Sequence, residues 1–275
     1  MGSPLYRQEQ EWNRKGLILS RQTMSNWLLR CATDWFTPAY EELHKALLCC
    51  DVLHSDETSL QVLHEPGKSP QSKSSMWLYR TSGDAAHPIV LYEYQPGKGS
   101  KYPQAFLKGF HGYLQTDGAS YYNQVEAVTH IGCFAHARRK FEDARNAMPK
   151  GKRSPTAEQG VAYCTKLFDL EKEYAKQQLS FEERKQQRLE RSKPVLDAML
   201  AWANTRNAAP KSKLREALTY LKNQWEPLSN FLLDGRIELS NKRAERSIKP
   251  FVMAGRIFCS RIRHWVLRVV RSSSA

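Results

Sequence analysis

Gly112-Tyr-Leu-Gln-Thr-Asp117-Gly118-Ala-Ser-Tyr-Tyr-Asn123 is the stretch on which the fold turns. It is a short apolar run that ends in a carboxylate and a glycine, so it reads as a strand whose last side chain projects at the open edge of a sheet. Working outward, period-two patterning and short apolar runs predict further strands near Val52–His54 or a little beyond, Met76–Thr81, Pro88–Tyr94 and Val128–Cys133. Clusters such as Glu65-Pro-Gly-Lys-Ser-Pro70 and Gln95-Pro-Gly-Lys-Gly-Ser100 separate them. A short helix over Tyr102–Phe110 and another over Ala135–Ala147 complete the order β-β-β-α-β-β-α. Three strands able to form a meander, followed by crossovers, predict an α/β fold with a mixed sheet flanked by helices.

On either side of this core the pattern is helical. Residues 1–50 predict a helical segment in which a polar helix stops at Gly16 and a second begins after the N-cap Ser20. That is helix-turn-helix spacing, which would set Arg21, Gln22, Thr23 and Asn26 on the early turns of a helix entering a DNA groove. The same residues fit a plain helical hairpin. Residues 51–147 form the first part of the core, and residues 148–235 carry almost no strand signal. Helical sequence covers Ala157–Leu179, Phe181–Asn204 and Lys211–Phe231, with a cap at Ser180 and with Pro194 placed to kink or split the second helix. Residues 236–256 return to the core as its last helix, and 257–275 are an atypical basic tail.

The 275 residues carry a formal charge of +14, which favours a polyanionic partner. Residues 1–140 are nearly balanced, fifteen basic against thirteen acidic, whereas 236–275 hold ten against two. A nucleic acid would therefore be met at the C-terminal end. No apolar run reaches the roughly 18 residues needed to span a bilayer, and the first residues lack the charged and apolar pattern of a secretory leader, so none is expected. The six cysteines are scattered without a Cys-x-x-Cys pair, as in a reducing compartment. These features predict a cytoplasmic chain with no membrane association.

Chemistry concentrates on three acids. Asp56 lies in Leu53-His-Ser-Asp56-Glu-Thr-Ser-Leu-Gln-Val-Leu63, on or beside an apolar strand where an ionised carboxylate is costly unless paired or metal-bound. Asp117 leaves its strand into a glycine turn. Glu245 falls on the first turns of a helix that Ser240 or Asn241 can cap, among Arg243, Arg246 and Lys249. Three such carboxylates can hold two divalent ions about 3.5–4 Å apart, the arrangement that serves phosphoryl transfer. Hard oxygen ligands and a phosphate substrate favour Mg²⁺, with Mn²⁺ as substitute, and the neighbouring Arg and Lys side chains would grip the DNA backbone.

Four segments taken together, Ser55-Asp-Glu-Thr-Ser-Leu-Gln-Val-Leu63, Leu114-Gln-Thr-Asp-Gly118, Gly132-Cys-Phe-Ala-His-Ala-Arg-Arg-Lys-Phe141 and Leu239-Ser-Asn-Lys-Arg-Ala-Glu-Arg-Ser-Ile-Lys-Pro-Phe-Val252, resemble the transposases of the bacterial insertion sequence 66 family. The resemblance runs from about Leu5 to Pro250. It implies a DDE transposase with a ribonuclease-H-like catalytic core, interrupted before its glutamate by a helical insertion. It also implies Asp56, Asp117 and Glu245 as the catalytic and metal-binding triad, with Glu238 the nearest rival for the third position and Glu57 a lesser one for the first. Work on paired DNA ends as a homo-oligomer follows from the same resemblance. Cys133-Phe-Ala-His136 matches the family's Cys-x-x-His signature. A zinc site would need two further ligands and no second Cys or His pair is spaced to give them, so the reading favours a structural or DNA-orienting role. Arg138, Arg139 and Lys140 continue that helix as candidate phosphate contacts.

Relatives of this type begin well before the helix-turn-helix-like segment, so an N-terminal portion is expected to be missing. After Arg256 the family pattern continues with Lys and an aromatic and Gly-Ala segment, whereas this chain reads Ile257-Phe-Cys-Ser-Arg261 and onward to a Ser-rich end. A frameshift near Arg256 is the expected cause of the change. Two other readings fit parts of the pattern, a catalytically silent DNA-binding remnant and a general metal-dependent nuclease. Translating the gene one nucleotide out of frame after Arg256 is expected to restore a Gly-Ala-containing continuation, and its absence would remove the frameshift.

Overall fold

A computed structural model of the chain describes residues 3–62, 65, 67–69, 71–149 and 152–258. The atypical tail from residue 259 on lies outside the described residues. Five strands, β1 (Val52–Gln61), β2 (Lys73–Thr81), β3 (Val90–Gln95), β4 (Tyr113–Gln115) and β5 (Thr129–Ile131), form one mixed sheet in the order β3-β2-β1-β4-β5. β1, β2 and β3 are an antiparallel meander, while β4 and β5 run parallel to β1. The expected strands are thus all present, with β1 much longer than its apolar start suggests. Its outer half, Thr58–Gln61, pairs with β2 alone and buries only Leu60, so its hydrophobic run is short.

Strand alternation sends successive residues of β1 to opposite faces. Val52 packs in a large core with β5 and the helices α5 (Phe134–Asn146), α6 (Pro155–Lys176), α8 (Lys193–Asn204), α9 (Lys213–Asn223) and α10 (Trp225–Ser229). Leu53 packs on the other face with Trp77, Tyr79, Phe106 and Leu114, beneath α3 (Thr37–Leu48) and α4 (Lys101–Phe106). The sheet is therefore the middle layer of three.

The N-terminal helices α1 (Leu5–Arg14) and α2 (Arg21–Cys31) flank Gly16, which takes φ +79° where a residue with a Cβ would be strained. Ser20 caps α2 by accepting from the Thr23 amide. A π-turn, Ala32–Phe36, joins α2 directly to α3. The helix expected over Phe181–Asn204 is in two pieces, α7 (Phe181–Gln187) and α8, with a π-turn at Arg188–Ser192 just before Pro194. Proline sits in the first turn of α8, where its missing N–H costs nothing. Ser180 and Glu183 close a reciprocal capping box on α7. The stretch expected as one helix over Lys211–Phe231 is α9, α10 and a 3₁₀ turn at Asn230–Leu232. Among the described residues no helix is long and apolar enough to cross a membrane.

The π-turn also places Arg188, whose side chain is fully buried. Its guanidinium holds Glu171 of α6 through two bonds at 2.7 and 2.8 Å and donates to the carbonyls of Phe231, Asp234 and Ile237. This clamp directs the chain out of the helical block and back to the sheet, where α11 (Lys242–Phe258) packs on β1 and β2. Breaking a buried pair from one side leaves an uncompensated charge, at a cost of about 3–5 kcal/mol. Glu171→Ala is expected to lower stability by about that amount in urea or thermal unfolding, and a change under about 0.5 kcal/mol, typical of surface substitutions, would show that the clamp is not structural.

Candidate active site

Register builds the site from the backbone upward. Val52 pairs with Tyr113 and His54 with Gln115 across parallel β1 and β4. Extending that register two residues, past the end of β4, sets Asp56 of β1 beside Asp117 of the following turn, close enough for the Asp117 charge to act on Asp56. Gly118 follows with φ +86°, and a Cβ there would lie 2.9 Å from Gln224 Oε1, so the turn after Asp117 requires glycine. Asp117 Oδ1 accepts from the Ala119 amide at 3.0 Å, and its carbonyl accepts from Tyr220 of α9 at 3.0 Å.

Glu245 reaches the same place from the first turns of α11. The position before this helix is Asn241, and its side chain turns away from the helix into the sheet. Its Nδ2 donates to Ser55 O at 2.8 Å, its Oδ1 pairs with His54 Nδ1 at 3.0 Å, and its main-chain N–H donates to Cys133 Sγ at 3.2 Å. Burial, helped by the Arg243 and Arg80 charges and opposed by Glu238 and the Asn241 hydrogen bond, presses the His54 ring down to about pKa 4, so it is neutral around pH 7.

The electrostatics of the acids are mutual. Burial first, then the Glu57 charge, and then Asp117 and Glu245 push the Asp56 carboxyl up to about pKa 7, against one hydrogen bond from the Glu57 amide that favours its ionised form. Among the described residues no Lys or Arg is paired with Asp56. Such a set of carboxylates suits a divalent cation, which would offset the crowding that the chain leaves uncompensated.

The rivals sit elsewhere. Glu57 points to the opposite face of β1, where Lys98 pairs with it at 2.9 Å and the hydroxyls of Tyr121 and Tyr122 donate to it. Glu238 is locked in an ion pair with Arg243, near His54. Three groups form the remaining flank. Cys133, at the N-cap of α5, His136 and Glu245 have ligand atoms within 4.8 Å of one another, and His136 Nδ1 stands 3.8 Å from Glu245 Oε1. Glu245 is 109 residues beyond His136 in sequence, which is why spacing alone could not supply this third ligand. Burial lowers the His136 pKa and raises that of Cys133.

The expected DNA contacts fall into two groups. Arg139, Arg246 and Lys249 are exposed, on α5 and α11 beside the acids. Arg138 is paired with Glu142, Arg243 with Glu238, and Lys140 lies over the Tyr220 ring. Arg21, Gln22 and Asn26 occupy α2, with Gln22 donating to Asn26 and the Arg21 amide donating to Glu9. Sequence reading passed over a cleft of about 480 Å³ bordered by Lys140, Lys211, Arg215, Glu216, Tyr220 and Gln224. It abuts the turn after Asp117. Its residues look like an ordinary solvated helix face, and only packing turns them toward the acids.

Between the ordinary aspartate value of 3.8 and about 7, the native chain binds a proton at Asp56 that the unfolded chain has released. Stability therefore falls as pH rises through that window and levels off above it. In the absence of divalent ions, Asp56→Asn is expected to be stabilising at pH 8, on the order of 2–4 kcal/mol, and close to neutral at pH 4. Unfolding curves with a pH-independent difference would contradict the burial of this charge.

The chain matches the Transposase IS66 family model over residues 1–262. It is 30% identical to the uncharacterized protein y4hP of Sinorhizobium fredii over 93% of this chain and 49% of that protein. It is 31% identical to the uncharacterized protein y4qI and 32% identical to the uncharacterized protein y4jD of the same organism, over 90% and 91% of this chain and 48% and 50% of theirs. The chain thus spans about half the length of the curated relatives it matches. No solved structure matches it. With carboxylates on a central strand, in the turn after its neighbour and on a returning helix, and with a family match across nearly its whole length, the chain belongs to the IS66 family of transposases.

Proposed function

We propose that this chain is the catalytic part of a DNA transposase, cutting a phosphodiester at the end of an insertion sequence and joining the freed 3′-hydroxyl to target DNA. The single observation that carries this reading is the convergence of Asp56, Asp117 and Glu245, where the charges of Asp117 and Glu245 raise the Asp56 pKa. The antiparallel meander followed by two parallel strands, with helices on both faces, supports a ribonuclease-H-like core.

In this reading Asp56, Asp117 and Glu245 hold two Mg²⁺ ions, or Mn²⁺. When bound, these supply activation of the attacking hydroxyl and stabilisation of the departing oxygen. The chain's own contribution is position. The β1–β4 register fixes the two aspartates relative to each other, and Asn241 fixes the helix that bears Glu245. Arg139, Arg246 and Lys249 neutralise phosphates beside the cut, and Lys140, Lys211 and Arg215 guide the strand along the α9 cleft toward Asp117. Arg138 and Arg243 are held in orientation by their ion pairs, while Arg21, Gln22 and Asn26 contact DNA from α2. Assembly as a homo-oligomer on paired ends completes the proposal.

The test is strand cleavage by the purified chain, with Mg²⁺ or Mn²⁺, on DNA carrying the inverted repeats that flank its gene. Asp117→Asn is expected to abolish nicking and leave DNA affinity largely unchanged; nicking that survives it removes Asp117 from the catalytic set. Replacing Lys211 and Arg215 together by Ala is expected to weaken binding to all sequences alike and to reduce the slope of log affinity against log salt by about 2. An unchanged slope would take the DNA out of the α9 cleft.

A further inference from the structure

We propose that Cys133, His136 and Glu245 form a three-ligand site for a thiophilic divalent ion of the Zn²⁺ class, distinct from the hard-cation set on Asp56 and Asp117 and competing with it for Glu245. The site brings together a thiol sulfur, an imidazole nitrogen and a carboxylate oxygen, the donor mixture that borderline-soft ions select and Mg²⁺ does not. Two of the donor atoms, His136 Nδ1 and Glu245 Oε1, are buried with no hydrogen-bond partner within the chain, and they face each other at 3.8 Å. Two ligands about 2.0–2.1 Å from a tetrahedral ion lie roughly 3.3–3.4 Å apart, so closure by about half an ångström suffices for that pair.

The sulfur is prepared in a different way. Cys133 is fully buried, and its sulfur accepts from the main-chain N–H of Asn241 at 3.2 Å. A main-chain donor to the sulfur is the kind of outer-shell support that a metal-bound thiolate uses. The His136 and Glu245 side chains keep 23% and 28% of their surface exposed, which leaves a route for the ion and a fourth position for water or a phosphate oxygen. Cys133 and His136 share α5, whereas Glu245 comes from α11, so an ion here would join the helix after β5 to the helix that closes the site. Binding does not depend on the transposase reading; the competition for Glu245 does.

The probe is Co²⁺ titrated into the purified, reduced chain without DNA. Expected is a thiolate-to-cobalt charge-transfer band saturating at one ion per chain, displaced by Zn²⁺ and not by excess Mg²⁺. Cys133→Ser should abolish the band. His136→Gln and Glu245→Gln, at partly exposed positions with little effect on folding, should weaken cobalt binding about a hundredfold, since loss of even an outer-shell partner costs about 10–100-fold. Asp56→Asn should leave the band in place. The proposal is overturned if the parent chain gives no thiolate band, or if both Gln variants bind cobalt as tightly as the parent. Zn²⁺ inhibition of Mg²⁺-dependent nicking, relieved by Cys133→Ser, would report the competition. A band without such inhibition keeps the metal site and overturns the competition for Glu245.

Discussion

One buried amide sets the geometry on which the candidate site depends. Asn241 touches β1 through Ser55 and His54, meets the start of α5 through the Cys133 sulfur, and immediately precedes the first turn of α11. These elements carry Asp56, His136 and Glu245. An amide side chain can do this because it offers donor and acceptor on one rigid plane, and with His54 kept neutral both are used. Replacing it by an apolar residue would strand the Ser55 carbonyl and the His54 ring inside the protein, where unmet polar groups are costly.

A long helical excursion between β5 and α11 is compatible with this precision because its exit is tied down. Arg188 gathers three carbonyls on the returning segment, Phe231, Asp234 and Ile237, and two further bonds complete the return. The Leu239 carbonyl accepts from the Phe134 amide, and Gln115 donates to the Glu238 carbonyl. The excursion also borders the candidate site, since α9 supplies Tyr220 to the Asp117 turn and Arg215 to the cleft beside it.

How much of this was legible depended on the range of the interaction. Asp117 was readable because an apolar strand, a carboxylate and a glycine are neighbours in sequence, and Asp56 because a charge among apolar residues is conspicuous. The helical segments were readable from periodicity and Pro194 marked where one of them breaks, but the partners of the buried Arg188 guanidinium in that π-turn, more than forty residues away, were not. The end of β1 was unreadable since Thr58–Gln61 is held by one neighbouring strand and carries no alternating apolar signal. Asn241 looked like a helix cap, and its actual partners are 187, 186 and 108 residues distant. The union of Glu245 with Cys133 and His136 was hidden for the same reason.

Those separations have a consequence for the time order of synthesis. The five strands lie within the first 131 residues, so the sheet can pair long before Asn241 exists. At about 5–20 residues per second the His54 ring and the Ser55 carbonyl wait roughly ten to forty seconds for their partner. During that interval the nascent chain carries two aspartates, with neither the third carboxylate nor the amide that sets it. The three carboxylates consequently come together only once α11 docks on β1 and β2.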